Sequence, residues 1–391
     1  MKKHKTIFLK CCLILAAFLV LLQAGAAGAI PAFARKYNMS CTTCHAPVPR
    51  LKAYGDDFAG NGFVLKDKDA PRYFVDTGDK NLNLIRDFPA AVRFEGYIKH
   101  HTETNRDVDF TTPYNLKLLS GGSLTKNVAY YFYFFFSERG EVAGIEDAYL
   151  MFNDLFGQDL DVYLGQFQVS DPLFKREVRL TYEDYPVYKF RIGDSGVNLA
   201  YDRGLMFTYG LPTGTDVILE VLNGNGIDPA DPFQTYDNDK YKNFAGRISQ
   251  DVNKYLRIGG FGYYGRERKI HLNEIQMAGL DATIAYKPIE LNLQYLERRD
   301  DNPFFMETKP DEVKTSGALA ELIVWPHGDK SRWYGAALFN MIDSDLDDDD
   351  YQSVTGHIGY LLRTNIRLIA ENTYDLETEE NRFVIGFVSG F

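Results

Sequence analysis

Beyond its first thirty residues this 391-residue chain has no long apolar run. A transmembrane helix needs ~20 consecutive apolar residues, so a helical membrane protein is excluded. Cysteine is scarce at four, and tryptophan scarcer at two. Positive charge is in deficit: 43 Lys and Arg stand against 54 Asp and Glu, a net −11. That balance argues against a large nucleic-acid-binding surface. The one apolar run, residues 11–22, lies behind Lys2, Lys3, Lys5 and Lys10 and ahead of Ala27-Gly28-Ala29. A basic start, a short apolar core and a small-residue end read as a secretory signal peptide over residues 1–29. Its removal leaves 362 residues with 39 basic against 54 acidic side chains, a net −15. An exported protein is expected, and a cytoplasmic one excluded. Cys11 and Cys12 leave with the leader, so the mature chain keeps only Cys41 and Cys44.

Aromatic side chains are abundant, with 26 Tyr and 28 Phe, yet mean hydropathy is only −0.28. Such a balance suits strands that are apolar on alternate residues. Residues 30–89 are irregular, with room for a short helix around 51–58. From residue 90 to 391 the pattern becomes runs of about ten residues with period-2 alternation. Sixteen runs are expected to be strands: 90–103, 113–126, 128–138, 144–153, 160–170, 196–210, 215–224, 243–253, 256–266, 273–286, 289–298, 315–326, 332–342, 351–363, 365–375 and 381–391. Their connections alternate in length. Those at 124–127, 153–158, 212–214, 252–254, 287–289, 325–332 and 363–365 are short; those at 102–112, 170–195, 224–242, 299–314 and 343–350 are long. Tight turns on one side and long loops on the other are what a transmembrane antiparallel barrel requires. A soluble β-sandwich or propeller explains the short strands but not this alternation. The expected fold is all-β, a transmembrane barrel of about sixteen strands behind a small amino-terminal segment.

The chemistry is concentrated in Cys41-Thr42-Thr43-Cys44-His45, the attachment spacing of a c-type haem. Two thiols can join one edge of the macrocycle, and the adjoining imidazole can reach the iron from one face. A disulfide would not need His45, and a zinc site would need ligands beyond this cluster. The expected cofactor is one covalent haem c on Cys41 and Cys44, with His45 as proximal ligand. Residues 30–88 hold no other His, and Met39 stands only two residues before Cys41. The iron would then be five-coordinate, or take a distal ligand from a partner or from the barrel: His327 in a short turn, His357 or His101 facing inward, with His100, His271, Met151 and Met206 as further sources.

The flanks, Pro31-Ala32-Phe33-Ala34-Arg35-Lys36-Tyr37 before the motif and Pro49-Arg50-Leu51 with Tyr54-Gly55, Phe58 and Asn61-Gly62 after it, carry a resemblance. They look like the opening of bacterial exported proteins with one haem c ahead of a porin-like β-barrel. Tyr54 stands where that family more often has Phe. The resemblance implies an outer-membrane location, a last strand ending in Phe391 that serves barrel insertion, and a long third outside loop, 170–195, folded into the lumen. It suggests electron transfer with a periplasmic or outer-membrane redox partner such as a multihaem cytochrome. The alternatives are a diffusion porin whose haem segment is a plug or sensor, and a soluble periplasmic haem enzyme. The acidic run 343–350 resembles a calcium loop, but Asp348 stands at the glycine position and Val354 at the final glutamate position, so it reads as a solvated loop. No nucleophilic triad or phosphate-binding loop stands out.

Overall fold

A computed structural model describes residues 32–65, 74–82, 84–86, 88–102, 108–237, 239–346 and 349–391. The expected leader at 1–29 lies outside these residues. The described chain opens with a helix at Ala32–Tyr37, a single helical turn at Cys41–Thr43 and a second helix at Ala53–Gly60. A two-stranded antiparallel ribbon follows, β1 (Phe74–Val75) with β2 (Leu84–Ile85).

Sixteen long strands then run in chain order: β3 (Ala90–His101), β4 (Asp109–Ser123), β5 (Val128–Glu138), β6 (Gly144–Phe152), β7 (Leu160–Phe167), β8 (Asp202–Leu211), β9 (Thr215–Leu222), β10 (Asn243–Asn253), β11 (Leu256–Arg268), β12 (Leu272–Tyr286), β13 (Ile289–Asp300), β14 (Val313–Val324), β15 (Trp333–Ser344), β16 (Tyr351–Arg363), β17 (Ile366–Asp375) and β18 (Asn381–Gly390). Each pairs antiparallel with its sequence neighbours, and β18 pairs with β3 to close the barrel. Closure leaves no unpaired edge, the condition a sheet must meet in lipid. The terminal Phe391 exchanges backbone hydrogen bonds with Val92, so the chain end completes that seam.

Alternation sets which side chains face inward. Along β16, Ser353, Thr355 and His357 are buried while Val354 and Ile358 are exposed on the outer wall. Along β3, Glu95 and Tyr97 are buried and Ile98 is exposed. Outward Leu219, Ile248, Leu280 and Ile385 continue the apolar outer surface.

The expected strand at 196–210 begins only at Asp202. Val197 and Leu199 keep the alternating pattern, but they belong to the long connection between β7 and β8. There Leu199 donates its N–H to Tyr188 and accepts from Ser170. An extended segment packed inside a lumen shows the same period as a strand, so pattern alone could not separate them. This connection fills much of the lumen. Tyr182 and Glu183 donate their N–H groups to Glu371 of β17 (2.6 and 2.8 Å), and Tyr185 donates its hydroxyl to Glu321 of β14 (2.9 Å). Arg298 of β13 donates to the Val197 carbonyl (2.7 Å), and Lys117 of β4 pairs with Glu177 (2.7 Å). Around these ties Leu173, Phe174, Val187, Tyr188 and Val197 pack on inward residues of β8 to β15, among them Met206, Leu222, Phe261, Ile275, Leu296 and Leu338. The barrel thus has an apolar core on the inside of one half of its wall.

Candidate functional site

The amino-terminal segment sits at the barrel mouth formed by the short connections. Its inner face is aromatic: Phe33 stacks on Phe63 (centroids 4.9 Å apart), and Tyr37 and Phe58 pack edge-on beside them. Phe63 in turn stacks on Tyr131 of β5 at 5.4 Å, joining segment to wall. Polar ties surround this contact. Arg35 donates to the Ala90 carbonyl, Asn153 to the Gly60 carbonyl, and Lys175 pairs with Asp56. Arg50 lies between Glu290 and Glu321, and Lys52 pairs with Asp329 in the turn between β14 and β15.

Local chemistry shapes the motif turn. Ser40 caps it by accepting from the Thr42 N–H, and the His45 N–H closes onto the Cys41 carbonyl (2.9 Å). The following helix packs so closely that a Cβ on Gly55 would lie 2.4 Å from the Cys44 carbonyl oxygen. Lys52 reaches back to the Thr42 carbonyl (2.9 Å). His45 Nδ1 stands 2.7 Å from the Pro49 carbonyl oxygen. As a donor there it leaves Nε2 unprotonated, the arrangement of a metal-ligating imidazole. Burial lowers the His45 pKa, with the Pro49 and Arg50 carbonyls pulling back, so the ring is neutral and able to coordinate. Burial raises both the Cys41 and Cys44 thiols, and Lys52 partly offsets it at Cys44.

Cys41, Cys44 and His45 line one cavity of about 340 Å³, partly open to solvent. Its remaining walls come from both parts of the chain: Phe33, Leu51 and Phe58 from the segment, Leu119, Tyr131 and Val388 from the barrel. Two thiols on one turn, an imidazole held by its second nitrogen and a largely apolar hollow fit a haem c. Among the described residues no group of three or more His, Cys, Asp or Glu converges as a bare-ion site would require.

None of the three expected distal histidines lines this cavity. His357 is buried with both ring nitrogens occupied, Nδ1 by Glu371 (2.8 Å) and Nε2 by the Tyr334 hydroxyl (3.3 Å). His101 ends β3 at the far rim of the barrel. His327 is exposed in the turn that Lys52 contacts through Asp329. Met206 belongs to the lumen core, and Met151 is buried on β6. Met39, set aside for its closeness to Cys41, does line the cavity. Sequence reading also missed Arg50 and Lys52 as docking residues, because their partners lie 240 and 277 positions away.

Comparison with known proteins bears on the barrel. The anion-selective porin from Comamonas acidovorans superposes over 78% of this chain and 99% of its own, with TM-score 0.54 and 10% identity. The fold is that of the porins. The outer membrane channel DcaP of Acinetobacter baumannii covers 78% of this chain and 97% of its own (TM-score 0.57, 12% identity). OmpT of Vibrio cholerae gives 78% and 99%, with TM-score 0.55 and 11% identity. At such identities the likeness is one of fold. No family model matches the chain, and no curated protein sequence does.

Proposed function

We propose that this porin-fold protein resides in the outer membrane, carries one covalent haem c at the mouth of its barrel, and serves in electron transfer there. One observation carries the reading: Cys41, Cys44 and His45 face a single cavity between the segment and the barrel wall. Cys41 and Cys44 would hold the macrocycle edge through thioethers. His45 would be the proximal ligand, oriented by the Pro49 carbonyl. When bound, the group supplies a one-electron Fe(III)/Fe(II) couple. The chain's own part is to anchor it, exclude water with Phe33, Phe58 and Phe63, and keep one cavity side open to a redox partner. The apolar band of such barrels is ~25 Å tall, so a partner such as a multihaem cytochrome is needed to complete any route across it.

A second reading, a diffusion channel with a haem-bearing plug, has the likeness to porins in its favour. The apolar packing of 170–199 inside the lumen weighs against free flow through that half. The third, a soluble haem enzyme, does not suit an outer wall bearing Leu219, Leu280 and Ile385. The decisive test is expression with a haem-attachment system, followed by haem staining of a denaturing gel and conductance in planar bilayers. Stain that stays with the protein and disappears in Cys41→Ala/Cys44→Ala is expected. A wild-type band without covalent haem overturns the haem reading, and large steady conductance favours the channel.

A further inference from the structure

The barrel-side wall of the cavity bears three polar side chains that the haem reading leaves unused. Asp147 projects from β6, and Gln168 and Asp171 from the start of the connection after β7. Asp147 is 4% exposed and Gln168 1%. Asp147 Oδ1, Gln168 Oε1 and Asp171 Oδ1 are buried with no hydrogen-bond partner among the described residues. Several other lumen acids are matched. Glu371 has His357 and two backbone N–H groups, Asp281 has Arg247, and Asp300 has Arg298.

The surroundings deepen the contrast. Glu177 adds like charge near both aspartates, Glu146 near Asp147 and Asp56 near Asp171. Glu220, on β9, lies beyond Asp171 with neither carboxylate oxygen partnered, and Asp202 follows it. The cations in range are engaged elsewhere: Lys117 with Glu177, Lys175 with Asp56 and Arg176 with Asp184. The remaining titratable neighbours are Tyr131, Tyr149, Tyr163 and Tyr201. A buried carboxylate without a cation is costly to keep charged. Burial accordingly raises the Asp171 carboxyl to about 6, with Lys175 opposing.

Resting on the haem reading, we infer that Asp147 and Asp171, with Gln168 beside them, form a redox-linked proton site. When one electron from a reduced partner reaches the metal held by His45, added negative charge favours protonation of this pair. One proton enters from water at the open side of the cavity and forms an O–H bond on an aspartate oxygen. The site thus gains one electron and one proton, and its net charge is unchanged. Oxidation returns both.

The test is a spectroelectrochemical titration of the purified haem-loaded protein from pH 5 to 8, with the electrode supplying electrons. For one proton per electron the midpoint potential falls with pH by up to ~59 mV per unit, the value of a tenfold change for a one-electron couple. The steepest fall is expected around the Asp171 range. Asp147→Asn/Asp171→Asn should flatten the slope, while Asp159→Asn, in an exposed turn, should keep it. A flat wild-type profile overturns the inference while leaving covalent haem intact. A slope that survives in the double variant overturns it too, assigning the proton to the haem propionates. A preparation without covalent haem removes the haem reading and this coupling together.

Discussion

Replacing Phe63 tests how the segment is held to the barrel. The side chain is 5% exposed and stacks between Phe33 and Tyr131. Truncation to Ala empties that slot, and Phe→Ala in a packed core costs about 3–5 kcal/mol. At about 1.4 kcal/mol per factor of ten, the undocked population of the segment rises by about two to four powers of ten. The backbone adds a second comparison. Phe63 sits at φ +60°, the left-handed region, where a side chain costs roughly 1–2 kcal/mol. Phe63→Gly removes the ring but also relieves that strain. It should therefore be milder than Phe63→Ala by about 1 kcal/mol, about fivefold in population, reversing the usual order of Ala and Gly. The assay is limited proteolysis of the detergent-solubilised protein, with the heat-resistant barrel band as internal control. Unchanged protection in Phe63→Ala would refute the docking argument. A Gly variant worse than the Ala variant would refute the strain argument.

Gly55→Ala places a Cβ against the Cys44 carbonyl, an overpacking of about 1–3 kcal/mol, and should lower covalent haem per barrel on stained gels without altering barrel yield. Arg50→Met strips Glu321, 1% exposed, and Glu290 of their cation; loss of about 3–5 kcal/mol in docking is expected, with partial recovery in Arg50→Met/Glu321→Gln by the same proteolysis assay. Gly359→Ala sets a Cβ 1.9 Å from the Tyr334 ring and displaces the hydroxyl that meets Arg367 (3.1 Å) and His357, so the barrel should lose heat resistance in semi-native gels. Deleting residues 172–193 removes the lumen core, and single-channel conductance should rise; an unchanged trace would mean that the connection does not obstruct the barrel.

The barrel was legible in the sequence because two repeating constraints leave marks along the whole chain. Lipid outside and packing inside force alternation, and the two ends of the barrel force short and long connections in turn. All sixteen expected strands are present, nine of them with runs that start at the observed residue and end within two of it: 90–103, 128–138, 144–153, 215–224, 243–253, 256–266, 289–298, 351–363 and 381–391. The inward assignment of His357 follows from the same period. Alternation failed most at 196–201, where an extended loop borrows the pattern by packing in the lumen, and it overran β7 at 168–170. The motif Cys41-Thr42-Thr43-Cys44-His45 was equally local, since its meaning rests on spacing within five residues.

What only the tertiary structure decided is which surfaces meet. That Arg50 lies against Glu290 and Glu321, or that Asp147, Gln168 and Asp171 wall the cavity of Cys41 and Cys44, depends on barrel closure between residues more than a hundred positions apart. Side-chain period reports a face, not a neighbour. The same limit governs the histidines: an inward His357 was readable, but its capture by Glu371 and Tyr334 was not. Local order follows from residue pattern because lipid and water act on each residue separately. The site follows from closure, which the pattern allows and only three-dimensional packing specifies.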